Sequence, residues 1–286
     1  MNFVKPLFWK SKNIISILLY PLSLIVLIIN ELKELKSKKK FLIKTICVGN
    51  TYVGGTGKTS LVIEIQNLVK KKFKTVIIKK NYTHQLDEIN LLKTKGELIS
   101  KDTREKALNL AAKKKYELAI LDDGLQQKNI DYDLKIICLN TENGFGNNFL
   151  LPAGPLRESI HKIKNYDIAF INGGKRNNNL YLKLKSINKK LKIFEGKYKP
   201  VNLKSFNLKK KYLMFCGIGN PHEFEQTLFE NKFLIEEKMI YPDHYKIPIE
   251  ILDKLKLKAK NKNLSLVTTE KDFFRLSKSQ RKNIKY

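Results

Sequence analysis

Apolar positions along this chain fall into short runs and helical stripes that alternate. The run "KTICVGN" (44–50) predicts a strand, and "KTSLVIEIQNLVKKKF" after it places apolar residues at 61, 62, 65, 68 and 69, one face of a helix. The runs "TVIIK", "YELAILDD", "DLKIICLN" and "DIAFIN" are each bounded by turn-forming or charged residues. Short continuous apolar runs of this kind predict strands buried on both faces, as in a parallel sheet. Residues 175–200 are polar, rich in lysine and asparagine, and read as a connection between lobes. A second series follows, with strand "YLMFCGIGNP", a helix over 222–231 and strand "LSLVTTEKD". The pattern predicts an α/β fold of two lobes, residues 41–200 and 201–286, preceded by a separate element over 1–40.

That first element breaks the alternation. Residues 14–29, "IISILLYPLSLIVLII", carry no charge, and lysines flank them at Lys5, Lys10, Lys12 and from Lys33 to Lys40. As a helix the stretch would reach about 24 Å, short of a hydrocarbon core of about 30 Å. Pro21 near its middle predicts a kink. No small-residue cleavage site follows, which argues against a secretory signal. A spanning anchor, a buried core helix and a helix lying in the membrane interface all fit apolar residues. The lysines at both ends and the short length favour the interfacial helix, because nearly every face is apolar.

Composition sharpens this picture in two places. Of the 286 residues, 56 are basic and 27 acidic, a formal net charge of +29. Only five of the basic residues are arginine, at 104, 157, 176, 275 and 281. Such an excess reads as a solvated lysine-rich surface, an anionic membrane face or nucleic acid. No zinc-finger spacing, aromatic RNA-binding motif or basic heptad helix is present, so no nucleic-acid partner is expected. Cys47, Cys138 and Cys216 are widely spaced and lie in apolar runs, as expected of reduced core residues.

The chemistry begins at "VGNTYVGGTGKTS" (48–60). A strand, a glycine turn and a helix starting at Lys58 present free backbone N–H groups and the positive helix end to an anion. Gly54, Gly55 and Gly57 allow close approach, Thr56 and Ser60 complete the loop, Lys58 can reach β and γ phosphates, and Thr59 offers a hydroxyl to magnesium. Tyr52 stands where the standard pattern G-x-x-x-x-G-K-[ST] has glycine. A second strand ends in Asp122-Asp123-Gly124, carboxylates placed as metal-holding groups are in phosphate-loop enzymes. These features predict a P-loop NTPase-like fold that uses ATP and Mg2+, without naming the acceptor.

The acceptor comes from longer fragments. "DDGLQQ" (122–127), "GNNFLLPAGPLRE" (146–158), "GIGNPHEFEQTL" (217–228), "YPDHY" (241–245) and "VTTEKD" (267–272) occur in this order. With "VGNTYVGGTGKT" they resemble the tetraacyldisaccharide 4'-kinase family of Gram-negative bacteria, from the N-terminal apolar helix to about Leu276. The irregular Tyr52 position recurs in that family. The resemblance implies two α/β/α lobes with a cleft between them and an N-terminal membrane-associated helix. It implies transfer of the γ-phosphoryl of ATP to the 4'-hydroxyl of a tetraacyldisaccharide 1-phosphate, a lipid A precursor. It also implies a place on the cytoplasmic face of the bacterial inner membrane, against anionic lipids.

Residue by residue, Lys58 and Thr59 match the family's phosphate-loop lysine and magnesium hydroxyl, Asp122 and Asp123 its paired aspartates, and Gln126 the glutamine after them. The family's Asp-Glu pair matches Asp87-Glu88, and its histidine matches His244 of "PDHY", which implies a carboxylate–imidazole pair that activates the acceptor hydroxyl. Arg104 and Arg157 match arginines suited to clamping a phosphate, and Tyr82 is kept from a segment otherwise altered to "KKNYT" (79–83). Two other classes compete. A membrane-associated switch ATPase would carry lysine just before the paired glycines, where this chain has Val53. A basic surface binder would bind in a salt-dependent manner, indifferent to Mg-ATP. Neither accounts for "LLPAGPLRE" or "TTEKD".

Overall fold

The computed structural model describes residues 6–35, 37–82, 86–174 and 176–286, and for Leu86 and Asp87 the backbone alone. The expected α/β architecture is present as two compact units, each around its own parallel sheet. One contains Leu92–Lys197 with the segment ending at Tyr82. The other contains Tyr198–Tyr286 with the segment ending at Leu91.

The first unit opens with helices α1 (Ile14–Leu18) and α2 (Tyr20–Glu34). The break falls at Leu19, and Pro21 sits in the first turn of α2, where its missing N–H costs nothing. The pair is inverted relative to an ordinary surface helix. Its buried positions are Ser16 and Ser23, while Ile14, Ile17, Leu18, Ile25 and Ile28 are more than half exposed. Ser23 donates to the carbonyl of Leu150 (2.7 Å) and accepts from the N–H of Ala153 (3.2 Å). Asn30 donates to the carbonyl of Arg157 (2.9 Å), and Glu34 pairs with Lys162 (2.7 Å). Polar groups thus fasten α2 to residues 150–162, and its apolar side is left outward. Among the described residues no helix is long and apolar enough to cross a membrane.

Seven strands follow: β1 (Lys44–Gly49), β2 (Thr75–Lys80), β3 (Leu98–Lys101), β4 (Leu118–Asp122), β5 (Leu134–Asn140), β6 (Ile168–Asn172) and β7 (Lys192–Gly196). They form one parallel sheet in the order β3-β2-β4-β1-β5-β6-β7. Helices α3 (Lys58–Val69), α4 (Leu86–Lys95), α5 (Arg104–Lys113) and α6 (Asn178–Ile187) supply crossovers, as parallel strands require. Alternate residues of each strand enter opposite cores. Val76, Ile78 and Leu121 pack with Ala107 and Leu108 of α5 on one face; Ile77 and Ile120 pack with Val62 of α3 and Leu92 of α4 on the other. The chain runs from β1 to β2 on one side and, after β4, crosses β1 to β5 on the other, and the crevice at such a reversal is where α/β sheets bind ligands.

The segment expected as a connection, residues 175–200, is instead largely structured. It contains α6 and the edge strand β7, which pairs with β6 over Ile168–Asn172. Leu180, Leu184 and Leu191 are buried, a sparse stripe that the surrounding lysines and asparagines mask.

The second unit has a four-stranded parallel sheet in the order β11-β10-β8-β9, from β8 (Lys211–Cys216), β9 (Leu234–Ile240), β10 (Ser265–Val267) and β11 (Ile284–Lys285). Helix α7 (Pro221–Glu230) covers one face through Leu228, against Tyr212 and Met214. Helix α8 (Ile249–Asn261) covers the other through Leu252 and Leu255, against Leu213 and Phe215. The short helix α9 (Glu270–Arg275) begins within "TTEKD", so the apolar run there yields only a three-residue strand.

Candidate active site

The phosphate loop leaves β1 at Asn50, a buried side chain that organises it. Its amide donates to the carbonyl of Tyr52 (2.6 Å), the carbonyl of Gly54 (3.3 Å) and the hydroxyl of Thr56 (3.0 Å). Gly54 and Gly57 have φ of 112° and 88°, the left-handed region where a Cβ is strained, and Gly57 is the N-cap of α3. Tyr52 is buried in the core beside β1, and the loop is strapped to the segment Leu150–Arg157: Val53 N–H donates to Pro155 (2.9 Å) and Arg157 N–H to Thr51 (2.7 Å). A buried aromatic here anchors the loop to that strap, which accounts for the tyrosine in a glycine's usual place. Ser60 lies exposed in the first turn of α3.

Two adjacent carboxylates at the end of β4 face this loop and have different partners. Asp122 is fully buried; its Oδ2 accepts from the Thr59 hydroxyl (3.3 Å) and pairs with the Lys79 ammonium (2.7 Å). Its Oδ1 is buried and accepts no hydrogen bond. Asp123 has φ of 58° and turns the other way, to Arg157 (Nη1 3.0 Å, Nη2 2.7 Å) and Lys58 (3.9 Å). Burial pushes the Asp123 carboxyl up, but Lys58 and Arg157 outweigh it and hold the group well below the ordinary carboxylate range. An orphaned carboxylate oxygen beside a hydroxyl at a phosphate loop is an all-oxygen donor set, which suits magnesium.

Arg104, almost buried, donates from Nη2 to the carbonyls of Asp123 (2.5 Å) and Asp122 (3.4 Å), and from Nη1 to Gln127 (3.1 Å). It therefore braces the turn after β4. Gly124 in that turn has no room for a side chain, since a Cβ would lie 2.7 Å from the Cys47 sulfur. Gln126 donates to the carbonyl of Asn50 (2.8 Å) and toward Glu158 (3.4 Å). Beside these groups opens a cavity of about 430 Å³ lined by Lys33, Lys80, Tyr82, Arg104, Gln126 and Arg157 among others. Its walls bring together four cationic side chains and the two carboxylates Asp102 and Asp123, a net positive setting for a phosphorylated ligand.

The second unit carries a separate cluster around His244, whose φ is 60°. Its N–H donates to the carbonyl of Gly217 (3.1 Å), its Nδ1 lies 3.5 Å from Nη2 of Arg275, and its Nε2 lies 3.9 Å from Glu88 and 3.8 Å from Asp243. Glu88 also pairs with Lys271 (2.7 Å). Thr269 caps α9 and bonds Asp272 (2.7 Å), which accepts from the N–H of Gly217 (3.1 Å) and pairs with Arg275. The "TTEKD" motif is thus a scaffold that sets Arg275 and the Gly217 turn beside the imidazole. The side chain of Asp87, the carboxylate expected to pair with His244, lies outside the described residues.

Sequence reasoning missed Asn50, Lys79, Asp272 and Arg275. Only Lys79 left a signal, a lysine near the end of the apolar strand β2, beside Lys80. The three cysteines are buried; Cys138 donates to the carbonyl of Thr56 (2.8 Å), and burial pushes the Cys47 and Cys216 thiols up to about 12, which leaves no thiolate at either.

The family model for Tetraacyldisaccharide-1-P 4'-kinase matches residues 15–286. Tetraacyldisaccharide 4'-kinase of Pelagibacter ubique (strain HTCC1062) is 42% identical over all of this chain and 92% of its own length. The enzyme of that name from Rickettsia bellii (strain OSU 85-389) is 33% identical over 98% of this chain and 91% of its own. The crystal structure of LpxK from Aquifex aeolicus in complex with ATP superimposes with a TM-score of 0.67 at 23% identity, covering 95% of this chain and 92% of that one, a likeness of fold. With the motif match spanning both units and the phosphate loop built as described, this chain belongs to the tetraacyldisaccharide 4'-kinase family.

Proposed function

We propose that this protein transfers the γ-phosphoryl group of ATP to the 4'-hydroxyl of a tetraacyldisaccharide 1-phosphate, forming the 1,4'-bisphosphate of lipid A biosynthesis. The observation that carries the reading is the Thr59 hydroxyl set 3.3 Å from a buried, half-orphaned Asp122 in a chain of this family. Thr59 and Asp122 would hold magnesium, which would supply positive charge to offset that of the phosphates. Residues 54–60 bind the phosphates through backbone N–H groups and the start of α3. Lys58 moves from Asp123 to the phosphates and stabilises charge on the transferring group. Arg104, Gln126, Tyr82 and Arg157 line the cavity and orient phosphorylated ligands.

A sugar hydroxyl is a weak nucleophile, and the reading assigns its proton to His244 with Asp87 as partner carboxylate. Glu88 and Arg275 hold the imidazole in place. In this division residues 41–200 are the kinase lobe, 201–286 supply His244, and 1–40 bind the membrane. The outward apolar side of α1 and α2, flanked by Lys10, Lys12, Lys33 and Lys38 to Lys40, suits insertion into the anionic cytoplasmic face of the inner membrane.

The test is phosphate transfer from labelled Mg-ATP to a tetraacyldisaccharide 1-phosphate in detergent micelles, with Lys58→Ala, Asp122→Ala and His244→Ala as comparisons. A bisphosphorylated lipid formed by wild type and lost in all three variants is expected. No lipid product from a wild type that binds ATP would overturn the reading.

A further inference from the structure

The Lys79 ammonium has no part in the chemistry above, yet it is paired with Asp122 inside the site. Lys79 lies beside Asp122 in the register of β2 and β4, and the two side chains are 3% and 0% exposed. The ammonium takes Oδ2, shared with Thr59, while Oδ1 is left without a donor. Asp123 is engaged by Arg157 and Lys58, and among the described residues no three metal-ligating side chains cluster. A divalent ion at Oδ1 would therefore meet one carboxylate whose charge a fixed ammonium already balances. Two cations on one carboxylate weaken each other's hold, most strongly away from water. The missing negative charge must arrive with the ion, and the phosphates of ATP supply it.

We infer that Lys79 makes divalent-cation binding at Asp122 conditional on nucleotide. It acts as a positioning residue: it turns Oδ1 toward the ion, and its charge keeps the nucleotide-free site from loading metal. This rests on the kinase reading for the identity of the nucleotide.

The test uses Mn2+ followed by electron paramagnetic resonance on the full chain, with and without a non-hydrolysable ATP analogue. Wild type and Lys79→Arg should bind Mn2+ only when the analogue is present. Lys79→Gln should bind Mn2+ alone, about tenfold or more tightly than wild type does without the analogue, as expected when a repelling charge is removed. Equal Mn2+ affinity of folded Lys79→Gln and wild type without nucleotide would overturn the inference. Should Lys79→Gln not fold, tight Mn2+ binding by nucleotide-free wild type or Lys79→Arg would overturn it equally. Conditional Mn2+ binding with no lipid phosphorylation would sink the kinase reading and leave this inference standing.

Discussion

Arg157 holds Asp123 by both carboxylate oxygens, with Nη1 on Oδ2 at 3.0 Å and Nη2 on Oδ1 at 2.7 Å. The same guanidinium donates to the carbonyl of Asn50 (2.6 Å), so one side chain ties the end of β4 to the start of the phosphate loop. Its backbone is bonded in turn to Asn30 of α2. Lysine, a point charge, cannot make this fork. Arg157→Lys should lower the melting temperature and weaken ATP binding, with a stability loss of about 1.5–3 kcal/mol, the scale of hydrogen bonds to a charged group. Thermal melts and nucleotide titration check both.

The Asp123 ion pairs also make stability depend on pH. The folded carboxyl titrates below its ordinary value of 3.8. Its contribution is therefore fully present above about pH 4 and is lost as pH falls through the lowered folded value. Denaturant melts from about pH 5 down to about pH 2 should show a steeper acid loss for wild type than for Asp123→Asn.

Restoring the standard glycine should harm this loop. Tyr52 is buried against the core, so Tyr52→Gly removes an aromatic anchor and costs about 3–5 kcal/mol by the measure of aromatic truncations. A gain in stability on chemical denaturation would contradict the anchoring role.

His244 and Arg275 should separate by kinetics. His244→Ala is expected to reduce kcat by about a hundredfold or more, the range for a lost general base, with the KM for ATP little changed. Arg275→Gln should produce a smaller fall in kcat and a shifted pH–rate profile, because Nη2 stands 3.5 Å from Nδ1. An unaltered profile would mean that the arginine only supports the fold.

The outward face of α2 should be dispensable for folding and needed on lipid. Ile25→Ser with Ile28→Ser and Ile29→Ser should leave the melting temperature near wild type and abolish sedimentation with anionic vesicles, each side chain contributing about 1.5–3 kcal/mol when buried in lipid. Ser23→Leu should do the reverse and destabilise the fold, since Ser23 is buried and bonded at Leu150 and Ala153. Unchanged vesicle binding by the triple variant would remove α2 from the membrane contact.

Local rules were enough to read β1, β2, β4, β5 and β6, the phosphate loop before α3 and the carboxylates at the end of β4, but not the short edge strand β3. Each depends on periodicity or on a backbone conformation that one residue type permits, and such signals sit within a few neighbouring positions. The apolar helix was equally legible, although which of its faces turns outward was not: Ser23 faces the protein because a distant carbonyl at 150 and N–H at 153 await it. The same holds for β7, whose place beside β6 depends on partners far along the chain, and for the pairing of Lys79 with Asp122 across two strands. Sequence alone determined five strands of the first sheet, the helix after the glycine loop and where phosphate chemistry begins. Only the tertiary structure decided which of two adjacent aspartates meets Thr59 and which meets Arg157, because a single left-handed residue turns their side chains apart and no local pattern encodes who waits on either side.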